Sequence, residues 1–178
     1  ERVDGKVGLT GISWGGLITS ITMGYDNRFA FAIPVYCTGY AKENIWPEGR
    51  TPDLQQEQCI PYIEWHIPKK LATKAIQIVY SGGAYYGNNP DDFEVAPIRR
   101  YLNEKGMAVV TLKYRTPRPA GNLAKHTTAW QDLQRTIKIV RQEAASRGLD
   151  PNRIGIMGSS AGGHLTLMGV TSSLHQSY

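Results

Sequence analysis

The sequence predicts a three-layer α/β/α fold, in which a mostly parallel sheet lies between helices. Two observations lead to this prediction: apolar strand-like segments alternate with helical segments, and one strand–turn–helix unit occurs twice. Strands that alternate with helices form parallel β-α-β units, and their helices cover both faces of the sheet. The length of 178 residues and the hydrophobic content of 41% are typical of one such domain or of parts of two.

The individual elements are predicted from apolar runs, helical spacing and turn residues. The predicted strands are Val7–Thr10, Phe29–Cys37, Ala75–Tyr80, Met107–Tyr114 and Arg153–Gly158. The predicted helices cover Gly15 to about Gly24, Asp91–Lys105, a segment from Thr127 or Thr128 to Gly148, and Ala161–Leu174. The third of these helices carries one apolar stripe, formed by Trp130, Leu133, Ile137, Val140 and Ala144.

The repeated unit opens and closes the chain. Residues 7–19 read VGLTGISWGGLIT, and residues 154–166 read IGIMGSSAGGHLT. Aligned without gaps, the two copies share four glycines, one serine and one threonine. Their separation is close to the size of a domain and far longer than a solenoid repeat, so each copy is expected to belong to its own structural unit.

Both copies contain the pattern G-x-S-x-G, centred on Ser13 and Ser160. The pattern alone is weak, but each copy stands between an apolar strand and a helix, where the nucleophile elbow of a hydrolase belongs. Small flanking residues let strand and helix approach closely, and the serine hydroxyl then projects at the helix N-terminus. There the helix dipole and the next backbone N–H, that of Trp14 or Ala161, can stabilise a developing oxyanion.

These turns have two other interpretations. A glycine-rich β-α turn with incidental serines is the simpler one. A phosphate-binding loop is the other, because Gly158 to Gly163 has the glycine spacing of G-x-x-x-x-G-K-[ST]. His164 and Leu17 stand where that motif needs lysine, so the phosphate interpretation is set aside.

A second glycine segment supports hydrolase chemistry. Residues 80–85, YSGGAY, directly follow a predicted strand upstream of the second elbow. Consecutive glycines leave backbone N–H groups able to point at a substrate carbonyl oxygen. An ordinary strand-to-helix turn is the alternative for this segment taken by itself.

These motifs resemble those of the α/β-hydrolase superfamily. Residues 60–178 resemble the N-terminal two-thirds of hormone-sensitive-lipase-like esterases, which are related to acetyl and carbohydrate esterases, through AIQIVYSGGAYYGN, MAVVTLKYRTPRP, WQDLQRTIKIVRQEA and NRIGIMGSSAGGHLTLMG. The resemblance implies that Ser160 is the nucleophile. It also implies that the backbone amides of Gly82, Gly83, Ala84 and Ala161 form the oxyanion hole. Tyr80-Ser81 replaces the usual His-Gly of the family loop.

Residues 1–45 are similar to the elbow region of acetyl xylan esterases and prolyl-oligopeptidase-type enzymes, through GKVGLTGISWGGLIT and DNRFAFAIPVYCTGY. Ser13 matches the nucleophile position there, and Trp14 matches the following amide donor. The expected organisation is therefore a partial hydrolase unit at 1–45, a loop or junction at 46–59, and the N-terminal part of a hydrolase domain at 60–178. Tandem hydrolase units explain two elbows, whereas a circular permutant would need only one.

The resemblance implies an acid and a histidine that follow the nucleophile in the chain. Neither is identified after Ser160, and His164 is expected to be a packing residue rather than the base. The hydrolase fold is therefore expected to be incomplete in this chain. A serine without a base is a poor nucleophile at neutral pH.

The expected function is a serine carboxylic-ester hydrolase that removes acetyl or similar acyl groups from carbohydrate. Two alternatives stay open: a prolyl-oligopeptidase-type serine peptidase, and a catalytically inactive hydrolase-fold module. The expected substrate is a small-molecule or carbohydrate ester, and this chemistry needs neither a metal nor an organic cofactor. A polysaccharide esterase would be secreted or periplasmic and another esterase cytoplasmic, so the compartment stays open.

Composition bears on the other partners. The net charge is +5, but the basic residues are scattered, which argues against a nucleic-acid surface. The sequence has no run near the ~20 apolar residues that cross a bilayer, so no membrane partner is expected. Association of identical copies stays open.

Overall fold

The computed structural model describes residues 7–12, 29–35, 42–172 and 174–178. The chain divides into two compact units, Glu1–Ala41 and Lys42–Tyr178. In the first unit, strands β1 (Val7–Ile12) and β2 (Phe29–Val35) form a parallel pair, with Val7 opposite Phe29 and Ile12 opposite Val35. Both strands begin at the predicted residue. Ser13, Trp14 and the helix predicted to follow them lie outside the described residues.

The second unit is built on a five-stranded mixed sheet. Its strands are β3 (Glu43–Asn44), β4 (Tyr62–His66), β5 (Ile76–Tyr80), β6 (Ala108–Lys113) and β7 (Ile154–Gly158). Their order across the sheet is β3-β4-β6-β5-β7. The three strands β6, β5 and β7 are parallel, whereas β4 is antiparallel to β6 and β3 is antiparallel to β4. The predicted parallel sheet is thus present, with an antiparallel extension on one side.

Helices cover both faces of this sheet. They are α1 (Ala96–Glu104), α2 (Thr127–Glu143) and α3 (Ala161–Thr171), with a short 3₁₀ turn at Ala145–Arg147. The larger core lies between the sheet and helices α2 and α3; it includes Ile78, Val110, Leu133 and Leu165. On the opposite face, α1 packs against a small cluster that includes Val79 and Val109 of the sheet. The result is the three-layer α/β/α arrangement.

All three helices differ from the sequence prediction at a boundary. Helix α2 ends at Glu143, before the predicted end at Gly148, and a 3₁₀ turn at Ala145–Arg147 follows it. Helix α1 begins at Ala96 rather than Asp91, because the Oδ1 atom of Asp92 accepts hydrogen bonds from the amides of Glu94 and Val95 and forms a turn there. Helix α3 ends at Thr171 rather than Leu174. Within the described ranges, the helices are too short or too polar to cross a membrane.

Candidate active site

Ser160 stands at the bend between strand β7 and helix α3. The strand ends at Gly158 and the helix begins at Ala161, so only two residues make the connection. The backbone of Ser160 has φ 49° and ψ −118°, a region that L-residues rarely adopt. Positive φ in a residue other than glycine is concentrated at functional sites, where the surrounding structure holds it in place. We call residues 158–162 the elbow.

The glycines of the elbow are required by close packing. A Cβ atom added to Gly158 would lie 2.6 Å from the carbonyl group of Gly162. A Cβ atom added to Gly162 would lie 2.8 Å from the carbonyl oxygen of Ser81. Real Cβ atoms do not approach other atoms this closely, so side chains at these positions would push the strand, the helix and the loop after β5 apart.

The segment after β5, residues 81–87, is called the Gly82 loop. Gly83, Ala84 and Tyr85 follow one another with φ values of 92°, 51° and 63°. The amide of Tyr86 donates a hydrogen bond of 2.9 Å to the carbonyl oxygen of Gly83 and closes this left-handed turn. Two of the three residues carry side chains in a region that favours glycine, which marks the loop as strained.

The Gly82 loop lies directly against Ser160. A Cβ atom added to Gly82 would lie 2.7 Å from the Cβ atom of Ser160 and 2.9 Å from the carbonyl oxygen of Ser159. The loop that follows β5 and the bend that follows β7 are therefore neighbours at the carboxyl ends of two adjacent parallel strands. Ligand and catalytic sites of open α/β sheets form at this edge.

Tyr114 supports the Gly82 loop from the core. Its hydroxyl donates hydrogen bonds of 3.0 Å to the carbonyl oxygen of Ser81 and 2.8 Å to that of Gly82. Burial raises the pKa of Tyr114 above its ordinary value, so the hydroxyl keeps its proton at neutral pH. On the other side of the loop, the hydroxyl of Ser81 accepts a hydrogen bond from the amide of Asn89.

Glu94 reaches the same place from the turn before α1. Its Oε2 atom accepts a hydrogen bond of 2.7 Å from the amide of Gly82. The hydrogen bond from Gly82 lowers the pKa of the Glu94 carboxyl. Of the amides expected in the oxyanion hole, that of Gly82 thus already has a carboxylate partner. The amides of Gly83, Ala84 and Ala161 stay the predicted donors.

Histidine and aromatic side chains lie beside the elbow. The amide of His164 donates to the carbonyl oxygen of Ser160, and its Nδ1 atom is hydrogen-bonded to the Tyr85 hydroxyl at 2.8 Å. The ring of His126 is edge-on to that of His164, with 5.3 Å between centroids. Burial, and then the charge of His164, lower the pKa of His126. Within residues 42–172 and 174–178, no histidine is hydrogen-bonded to the hydroxyl of Ser160.

Glu94 was not among the residues predicted from the sequence. The Gly82 amide that it binds is 12 positions away along the chain, and no motif links the two residues. The Gly-x-Ser-x-Gly and Gly-Gly patterns, in contrast, signal their own local turns. An acidic residue in the segment that follows the glycine pair was the one available hint.

A mixed sheet of this strand order, with a strand–turn–helix elbow next to a glycine loop, is the arrangement of the α/β-hydrolases. Solved structures similar to this chain include an acetyl ester-xyloside hydrolase and an esterase. Residues 63–177, more than half of the chain, match the BD-FAE family. The chain belongs to the BD-FAE family.

Two curated proteins are similar to the chain. One is an acetylxylan esterase from Xylanibacter ruminicola, 31% identical over 111 residues, which are 62% of this chain and 22% of that protein. The other is endo-1,4-beta-xylanase B from Butyrivibrio fibrisolvens, 26% identical over 124 residues, which are 70% of this chain and 19% of that protein. The chain spans about a fifth of the length of these relatives.

Among solved structures, an acetyl ester-xyloside bifunctional hydrolase from Caldicellulosiruptor lactoaceticus matches with a TM-score of 0.63 and 28% identity. The match covers 74% of this chain and 47% of that one. Esterase Est2 from Thermogutta terrifontis, with butyrate bound, matches with a TM-score of 0.58 and 23% identity, over 76% of this chain and 45% of that one. The second likeness is evidence for the fold alone.

Proposed function

We propose that this chain carries the nucleophile region of a serine carboxylic-ester hydrolase that removes acetyl or similar acyl groups from carbohydrate. The observation that carries the proposal is the contact between Ser160, at φ 49°, and the Gly82 loop. The names of the relatives favour the substrate class, because one is an acetylxylan esterase and another an acetyl ester-xyloside hydrolase.

The chemistry follows from that contact. The Ser160 oxygen adds to the carbonyl carbon of the ester while its proton passes to a general base. The carbonyl oxygen becomes an oxyanion, which the amides of Gly83, Ala84 and Ala161 are proposed to stabilise. The alcohol then leaves with a proton and an acyl-serine remains. Water cleaves the acyl-serine in a second, equivalent addition and returns the proton to Ser160.

Substitution of Ser160 tests the proposal. In the full-length gene product, Ser160→Ala is expected to lower kcat for p-nitrophenyl acetate by at least about a thousand-fold, since the nucleophile itself is removed. Ser146→Ala is the matched control, because Ser146 is exposed and its hydroxyl donates only to the carbonyl oxygen of Glu143. Full activity in Ser160→Ala would exclude the proposed role, and Ser13→Ala tests the first unit in the same assay.

One observation favours a second candidate function, that of a catalytically inactive hydrolase-fold module. In the described part of the chain, the Ser160 hydroxyl has no histidine as a hydrogen-bond partner. A fluorophosphonate probe separates the two candidates, because only a serine backed by a working base reacts quickly. Rapid labelling that Ser160→Ala abolishes supports the hydrolase. The absence of labelling at Ser160 in the full-length gene product supports the inactive module.

A further inference from the structure

We propose that Glu94 is a positioning residue, whose carboxylate fixes the Gly82 loop and so holds the Gly83 and Ala84 amides beside Ser160. The inference rests on the proposed function and adds a residue that no motif of the sequence contains. Glu94 accepts a hydrogen bond of 2.7 Å from the backbone amide of Gly82, the residue at which the loop lies against Ser160.

The turn that carries Glu94 is held in place by hydrogen bonds and by a buried side chain. Its own amide donates a hydrogen bond of 2.9 Å to Oδ1 of Asp92, which also accepts from the amide of Val95. Val95 is fully buried and packs with Val79 of β5 and Val109 of β6. The neighbouring Phe93, in contrast, is 86% exposed. The turn thus anchors Glu94 to the sheet through Val95, although the surrounding surface is open.

The Glu94 carboxylate lies close to both Gly82 and Ser160. The Cβ position of Gly82 is 2.7 Å from the Cβ atom of Ser160 and 3.3 Å from Oε2 of Glu94. The carboxylate therefore lies at the point where the Gly82 loop meets the nucleophile. A carboxylate can only accept hydrogen bonds, and the Gly82 amide that reaches it there is a donor.

The charge of Glu94 does not give it a direct electrostatic role in catalysis. A negative charge close to a developing oxyanion is unfavourable, so Glu94 is not placed to stabilise the transition state by its charge. What it can supply is geometry. Oxyanion donors are effective only when they are held at hydrogen-bond distance from the position that the charged oxygen takes. A residue that fixes the loop carrying these donors therefore acts on kcat rather than on ground-state binding.

The experiment compares Glu94→Ala and Glu94→Gln in the full-length gene product, with rates expressed per active site titrated by a fluorophosphonate. Glu94→Ala is expected to lower kcat for p-nitrophenyl acetate by about 10- to 100-fold while KM changes less than about two-fold. Glu94→Gln is expected to recover most of kcat, because its amide oxygen can accept the same hydrogen bond from the Gly82 amide. Glu104→Ala is the matched control: Glu104 is an exposed acidic residue in α1.

Unchanged kcat in Glu94→Ala overturns the inference, and so does a Glu94→Gln variant as slow as Glu94→Ala. Ser160→Ala in the same series separates the two proposals: if that variant is inactive and Glu94→Ala is not, only the role of Glu94 fails.

Discussion

At the scale of single residues, the elbow and the Gly82 loop need glycine at three positions because there is no room for a side chain. Gly82, Gly158 and Gly162 each lie so close to a neighbouring segment that an added methyl group would meet an atom at 2.6 to 2.8 Å. Gly163, the next residue of helix α3, is different, since the nearest atom to its Cβ position is the Gly158 carbonyl oxygen at 3.4 Å. Two adjacent glycines therefore have different tolerance for substitution.

Gly162→Ala is expected to lower the free energy of unfolding by roughly 1–3 kcal/mol and to reduce esterase activity, because the new methyl group would displace the Gly82 loop from the elbow. Gly163→Ala should change the free energy of unfolding by less than about 1 kcal/mol, since alanine favours the helix. Urea unfolding of the two variants measures the difference. Equal effects would show that the contact with the carbonyl oxygen of Ser81 does not limit position 162.

The residues that could be predicted are those that belong to a short sequence pattern. The spacing around Ser160 and the glycine pair at 82–83 encode tight turns, so the strand-to-helix bend at Ser160 is visible in the sequence. The engagement of the Gly82 amide by Glu94 could not be predicted, because it depends on how the turn before α1 meets the loop after β5. The roles of Ser160 and of the amide donors stay predictions, and Ser13 and Trp14 lie outside the described residues.

At the scale of elements, a buried ion pair links the end of β6 to helix α2. Arg115 and Asp132 are both fully buried, with 3.0 Å between Nη2 and Oδ1. The carboxylate also accepts hydrogen bonds from the amide of Arg115 and from the indole nitrogen of Trp46. The Nε atom of Arg115 donates to both carboxylate oxygens of Asp132. Its Nη1 atom donates to the carbonyl oxygen of Pro52, and Nη2 donates to the carbonyl oxygen of Thr128 and to the side chain of Gln131. The pair thus fixes a helix, a strand end and the loop at 46–59 together.

Asp132→Ala is expected to destabilise the chain by roughly 3–5 kcal/mol, because it leaves the Arg115 charge buried without its partner. Asp91→Ala is the control, since Asp91 pairs with Arg99 at 2.7 Å but its side chain is 64% exposed, and such pairs contribute only about 0–1 kcal/mol. Thermal and urea unfolding provide the measurement. A loss in Asp132→Ala no larger than that in Asp91→Ala would mean that the buried pair contributes little to holding α2 in place.

Strand β4 shows where element prediction reaches its limit. The segment Tyr62–His66 contains Glu64 and His66, so it lacks the apolar run that identifies the other strands. Both side chains are nonetheless buried, and the imidazole of His66 is hydrogen-bonded to the hydroxyl of Thr111 at 3.0 Å. Pairing with β6 supplies hydrogen-bond partners for the backbone of β4, and the Thr111 hydroxyl supplies one for the His66 side chain. This strand therefore depends on tertiary contacts rather than on an apolar pattern in its own sequence.

At the scale of the whole molecule, buried titratable groups couple folding to pH. Burial, and then the charge of Arg99, lower the pKa of His66 from 6.5 to about 3. An unfolded chain binds a proton at this histidine below about pH 6.5, whereas the folded chain does so only near pH 3. The stability that neutral His66 contributes is therefore complete above about pH 6.5 and is lost as the pH falls towards 3.

The free energy of unfolding is expected to fall between pH 6.5 and pH 4, with His66 contributing up to about 1.4 kcal/mol per pH unit. Glu64, whose pKa burial raises, opposes part of this loss. His66→Gln should therefore show a shallower decline than the unsubstituted chain, while His175→Gln, at an exposed position, should follow it. Urea midpoints across this pH range provide the measurement, and parallel curves for His66→Gln would exclude the assignment.

The positive φ of Ser160 affects the energetics of the chain as well as its chemistry. Its φ of 49° and ψ of −118° match the first central position of a type II′ turn, where glycine is the residue of choice. Serine there costs on the order of 1–3 kcal/mol, a sizeable part of the thermodynamic margin of a small protein. Replacing the hydroxyl-bearing residue with glycine would make the fold more robust. Selection for thermal robustness alone would therefore remove the residue that the proposed catalysis requires.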